Sequence, residues 1–146
     1  MVVIGPLQGP NSSYTCRQIP RLRNIWPLLL AISWFVATTI LLCLPGSAFP
    51  KENWFDKIWL DKWIHIALFG GLAFLWCLTL RTERLRIIPL FVQIAFYCLL
   101  YGIAMEFIQK YFIPNRSFDV GDIFADGIGS TLGSVLSLWY KKNRPL

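Results

Sequence analysis

The sequence predicts an all-α fold, a four-helix transmembrane bundle with both termini cytoplasmic. Three observations lead there. Hydrophobic residues make up 55% of the 146 and charged residues only 15%, a balance with too little polar surface for a soluble domain of this size. Four long apolar runs follow one another along the chain. The basic residues, finally, gather in alternate linkers.

The first run, Ile25–Leu44, holds twenty residues without a charged side chain, the length that crosses a hydrocarbon core of about 30 Å. The second, Trp63–Leu80, is interrupted by His65, and the third, Ile87 to about Phe112, by Glu106, Gln109 and Lys110. The fourth, Ile123–Tyr140, is diluted by Asp126 and by glycines. All four read as helices, because an open sheet leaves backbone groups unpaired in lipid. The chain divides into a polar basic tail, 1–24, one membrane domain, 25–140, and a basic cytoplasmic tail, 141–146. Gly46-Ser47-Ala48 offers small residues to a signal peptidase. A run of twenty nonetheless exceeds the usual signal core of about 7–15 residues, so a retained helix is expected.

Orientation follows from charge. Arg17, Arg21 and Arg23 precede the first run, Arg81, Arg84 and Arg86 follow the second, and Lys141, Lys142 and Arg144 follow the fourth. Glu83 is the one acid among these nine bases. The other two linkers hold Lys51, Lys57, Lys62, Lys110 and Arg116 against seven of the eight acids. Short basic flanks stay in the cytoplasm, which puts the acid-rich linkers on the extracytoplasmic face. The net charge of +6 is thereby explained by topology, and no nucleic-acid partner is expected. Trp26, Trp54, Trp59, Trp63, Trp139 and Tyr140 fall at the expected interfaces. Cys43, Cys77 and Cys98 lie in apolar runs and Cys16 lies on the inner side, so no disulfide is expected, and no CxxC metal spacing occurs. The two halves show no internal repeat, unlike an inverted-repeat transporter.

Three polar clusters fall on the outer side. Asp61 and His65 are four apart and share a helix face, where a carboxylate can orient an imidazole. A plainer reading makes Asp61 a helix cap, lets Lys62 reach the headgroups and leaves His65 an interface residue. Glu106 and Gln109, three apart, also project together. A carboxylate within a span costs about 2.5–3.5 kcal/mol at the bilayer centre and calls for a partner or a role. Gly102, one turn below, leaves room for a neighbouring helix. In the third cluster, Asp119, Asp122 and Asp126 occupy one face if the fourth helix begins near Asp119, and Ser130 and Ser134 continue the stripe. Beside it run Ala125, Gly129, Gly133 and Ser137, a small-residue seam for close packing. Three carboxylates on one face repel unless cations or protons intervene. Arg116 and Lys62 are the natural counterions for Glu106 and the aspartates, and Arg116 is also suited to binding an anion.

The order Asp61-Lys62-x-x-His65, Tyr101-Gly102 leading to Glu106-x-x-Gln109, Arg116 with Asp119 and Asp122, then Gly127, Gly129 and Gly133, resembles the VanZ-like family of membrane proteins. The likeness runs from Asp61 to about Gly133. Where the family often has asparagine before the glycines, this chain has Asp126, one more negative charge. The resemblance implies a small multi-pass protein of the bacterial cytoplasmic (inner) membrane. It implies a link to low-level resistance to teicoplanin, a lipid-bearing glycopeptide acting at the outer face, and no established reaction.

Two functions follow. In the first, an extracytoplasmic site engages a lipid-linked or anionic envelope ligand in envelope homeostasis or glycopeptide resistance, with Lys62, Gln109, Arg116, Asp119, Asp122 and Asp126 as binding residues. In the second, a membrane-embedded enzyme acts on a lipid headgroup or cell-wall precursor, with His65, Asp61 and Glu106 as the acid–base candidates. Gly102, Gly129 and Gly133 serve packing. No cofactor is expected, although a metal version of the enzyme would use His65 with Glu106, Asp119 or Asp122. The expected partners are the lipid bilayer, a lipid-linked cell-wall precursor or lipoglycopeptide, and a second copy in a homo-oligomer. A proton- or ion-coupled transporter ranks last, since four short spans would have to oligomerise to form a pathway.

Overall fold

A computed structural model describes residues 25–45, 47, 59–80 and 87–143. Among these the structure is all-helical, without strands: α1 Trp26–Leu42, α2 Leu60–Thr79, α3 Ile87–Phe112 and α4 Val120–Asn143. The basic tail 1–24, most of the first linker, linker residues 81–86 and residues 144–146 lie outside the described residues, and the charges expected there with them.

α1 opens with Pro27 in its first turn, where no N–H is needed, and ends two residues short of the apolar run. α2 begins three residues before its run, so Asp61 and Lys62 form its first turn. Trp59, just ahead, takes a left-handed φ of 53°. α4 continues through Lys141 and Lys142 to Asn143. Between α3 and α4, Asn115 is left-handed at φ 59°, a conformation asparagine tolerates, and residues 116–119 return the chain to the start of α2.

α2 and α4 run in the same direction and meet backbone to backbone. A Cβ on Gly129 would sit 2.5 Å from the Ile66 carbonyl oxygen, and one on Gly133 would overlap the Gly70 carbonyl. Contact at this range needs glycine on the seam. The same pair is tied at its far end, where Lys141 Nζ donates to the Cys77 and Leu80 carbonyls, both at 2.6 Å. These are carbonyls at the end of α2, where acceptors run short of intrahelical donors, although Cys77 also accepts from the Leu80 N–H.

α1 covers the other side of α2. Its Trp34 ring lies over Gly71 and donates from Nε1 to the Leu68 carbonyl at 2.9 Å. α1 meets α3 through the Thr39 and Tyr101 hydroxyls at 2.9 Å and through Gln109 Nε2, which donates to the Leu42 carbonyl at 3.0 Å. Leu42, Phe69, Leu72, Ala73, Cys98 and Met105 fill the apolar core between them.

The outside is unlike a soluble protein. Leu29, Val92, Phe96, Phe124, Leu132 and Leu136 are exposed, whereas His65, Glu106, Gln109, Asp122, Asp126 and Ser130 are buried. Exposed apolar area on this scale marks a surface made for lipid or a partner. Leu60–Thr79 and Ile88–Phe112 are each long and apolar enough to cross a membrane. α1 has 17 residues, the short end of the spanning range. α4 turns its serines and aspartates inward and its Phe124, Ile128, Leu132 and Val135 outward.

Candidate functional site

The start of α2, the last third of α3 and the start of α4 converge on one buried polar network. Its first part is built around Lys62. The ammonium donates to Asp119 Oδ2 at 2.7 Å and to Asp122 Oδ1 at 2.9 Å. Asp119 also accepts from the Gly121 N–H at 2.7 Å, the N-cap bond that starts α4. The Lys62 hydrogen bond, assisted by that cap, holds the Asp119 carboxyl below the usual carboxylate range. A Cβ on Gly121 would lie 2.6 Å from Lys62 Cε, so a side chain there would shift the end of the lysine that bonds the two aspartates.

The second part is His65, 2% exposed. Its Nδ1 lies 2.8 Å from Asp126 Oδ1, and with an ionised acceptor Nδ1–H donates, fixing the tautomer. Nε2 then faces Asp122 Oδ2 at 3.8 Å, beyond hydrogen-bond range. The Phe69 ring lies parallel to the imidazole, with centroids 6.2 Å apart. Asp126 fits because residue 102 is glycine: a Cβ there would overlap Asp126 Oδ2.

Glu106, 1% exposed, accepts from the Asp119 N–H through Oε2 at 2.8 Å, a carboxylate on an unsatisfied helix N-terminus. Its Oε1 and the Asp126 Oδ2 are buried with no hydrogen-bond partner among the described residues. Two such oxygens are costly unless a proton, cation or ligand group meets them.

The expected residues thus divide. Lys62, His65, Asp119, Asp122 and Asp126 form one network, and Glu106 joins it through the Asp119 backbone. Gln109 is drawn instead to the end of α1. Asp61 shares a helix face with His65, but the partner holding the imidazole is Asp126, and Asp61 Oδ1 faces Arg116 Nη1 at 3.9 Å. The Arg116 Nε contacts the Leu44 carbonyl at 3.5 Å. Lys62 takes the counterion role toward two aspartates, while Glu106 is met by a backbone N–H. Gly121 was not anticipated; its position two residues after an N-cap aspartate is the only trace in the sequence. Cys43, Cys77 and Cys98 are free thiols.

A family model described as VanZ/LLP1 matches residues 11–141. The chain belongs to the VanZ/LLP1 family. The match extends well beyond the motif-bearing stretch from Asp61 to Gly133 and takes in α1 as well as α2–α4. Of the residues whose order resembles the family, Lys62, His65, Asp119 and Asp122 lie in the network and Glu106 joins it through the Asp119 backbone, while Asp126, which departs from that pattern, holds the imidazole. Comparisons with curated proteins and with solved structures found no match.

Proposed function

We propose that this VanZ/LLP1 protein crosses the bacterial cytoplasmic membrane four times, with both termini cytoplasmic, and that its polar network faces the extracytoplasmic side. In this reading it engages a lipid-linked component of the cell envelope, in envelope homeostasis or low-level glycopeptide resistance. The observation that carries the reading is a buried network of ionisable groups from three helices inside a molecule with an apolar exterior. Intramembrane ionisable groups are rare and costly, and are functional by default. The parallel course of α2 and α4 supports three of the four crossings, since α3 has to carry the chain back between them.

The network also narrows the ligand chemistry. Lys62 is committed to Asp119 and Asp122, and five carboxylates (Asp61, Glu106, Asp119, Asp122 and Asp126) stand against Lys62 and Arg116. Such a site offers mainly acceptors. It suits the hydroxyl and amine donors of a sugar or peptide headgroup better than a bare anion.

One observation favours a second reading. A buried imidazole held at Nδ1 by a carboxylate, with Nε2 facing Asp122 Oδ2 at 3.8 Å and without a hydrogen bond, is arranged for proton transfer. In that reading His65, oriented by Asp126, is the acid–base group on a lipid headgroup or cell-wall precursor.

The test is complementation of a deletion strain, scored as survival under envelope antibiotics. His65→Gln, Glu106→Gln and Arg116→Ala are each expected to lose at least about tenfold in survival at membrane abundance matched to wild type. Full complementation by all three would reduce the polar residues to caps and packing pairs and remove the proposal.

A further inference from the structure

We propose that His65, Asp122 and Asp61 bind one divalent cation of the zinc or manganese class at the open edge of the polar network. One ligand atom from each lies within 4.8 Å of the other two. His65 Nε2 and Asp122 Oδ2 are 3.8 Å apart, too far for a hydrogen bond. Two donors held about 2.1 Å from one ion stand roughly 3–4 Å apart, so the spacing fits shared ligation. One nitrogen and two carboxylates suit zinc or manganese rather than a soft ion.

The surroundings of the two buried ligands carry the inference. His65 is tied at its other nitrogen, with Nδ1 2.8 Å from Asp126 Oδ1. Asp122 is tied at its other oxygen, with Oδ1 2.9 Å from Lys62 Nζ. Each therefore presents one fixed, unused donor to the same space, as a carboxylate–histidine–metal relay requires. Charge is a second, independent observation. Glu106 Oε1 is buried without a hydrogen-bond partner among the described residues, Asp126 Oδ2 is turned instead toward Gly102, and five carboxylates stand against Lys62 and Arg116. An added dication would offset that excess. Asp61, whose side chain is 52% exposed, is the ligand through which an ion would reach the two buried ones.

The inference concerns the same site as the proposed function and rests on that reading only for the site's opening to one face. The full chain, purified in detergent and stripped with a chelator, would be titrated with Zn²⁺ and separately with Mn²⁺. Bound metal would be counted after desalting, and thermal unfolding would be followed in parallel. One ion per chain and a rise in melting temperature on metal addition are expected for wild type. His65→Gln and Asp122→Asn should each weaken binding at least tenfold and abolish the rise, while Lys110→Gln, outside the network, should bind as wild type does.

The proposal is overturned if wild type holds no stoichiometric metal. Unchanged binding in His65→Gln and Asp122→Asn would overturn it too. If either variant fails to fold, the count and thermal shift for wild type against Asp61→Asn, at the exposed ligand, decide: no loss in Asp61→Asn and no shift in wild type refute the site. Failure here is distinguishable from failure of the functional reading. A metal-free chain in which His65→Gln still loses complementation keeps the function and drops the metal, and the converse keeps the metal alone.

Discussion

Gly133→Val is expected to take α2 and α4 apart. A Cβ alone would overlap the Gly70 carbonyl oxygen and come within 2.8 Å of the carbon behind it. No rotamer change relieves a clash with backbone. Overpacking against movable side chains costs about 1–3 kcal/mol, so a clash against a helix main chain should exceed the upper end of that range. The loss should propagate, because this seam holds Asp122 and Asp126 against Lys62 and His65. Gly127→Val is the matched control, since a Cβ there meets only Leu99 Cδ1 at 3.6 Å. Size-exclusion profile and melting temperature in detergent should separate the two: Gly133→Val aggregates or melts at least about 5 °C lower, on the scale of 2–4 °C per kcal/mol for a chain of this size, and Gly127→Val stays within about a degree of wild type. Wild-type behaviour from Gly133→Val would show that the two helices are not in backbone contact.

His65→Leu comes second in expected effect. It leaves Asp126, 1% exposed, as a carboxylate whose Oδ1 has lost its donor and whose Oδ2 had none. Removing one member of a buried pair costs about 3–5 kcal/mol, mostly as the penalty of the stranded charge. The sharper expectation is non-additivity. His65→Leu with Asp126→Asn removes the charge together with its partner and should recover a substantial part of the stability, even though complementation stays lost. A double variant that adds the two single losses would contradict a direct His65–Asp126 pair.

The helices were largely legible in the sequence. Four apolar runs gave four helices, and the third run, Ile87 to Phe112, matches α3 at both ends. The seam at Gly129 and Gly133 was readable as well, because small residues four apart have one common use in lipid. The ends of α2 and α4 were less so. Hydropathy stops at the first charge, whereas the helices continue through Asp61 and Lys62 and through Lys141 and Lys142, with Lys62 and Lys141 bonded to tertiary partners. The site was legible as a set and not as a set of pairs. Sequence spacing put Asp61 beside His65, since both lie on one helix face. The partner actually chosen, Asp126, depends on how α4 is rotated against α2, and that rotation is set by the Gly70–Gly133 contact. Glu106 bonding to a backbone N–H thirteen residues away likewise has no local signature, as it follows from the left-handed turn at Asn115. The helix carrying Gln109 was clear, yet its amide serves the end of α1.

The proposed extracytoplasmic site depends on sidedness, and labelling of single cysteines tests it most directly. In a background with Cys16, Cys43, Cys77 and Cys98 replaced by serine or alanine, Asn115→Cys lies in the α3–α4 turn and Lys142→Cys in the last turn of α4. With a membrane-impermeant thiol reagent on intact cells, Asn115→Cys should label and Lys142→Cys should label only after permeabilisation. Labelling of both from the same side would contradict a spanning α4. The reverse pattern would place the His65–Asp126 network in the cytoplasm.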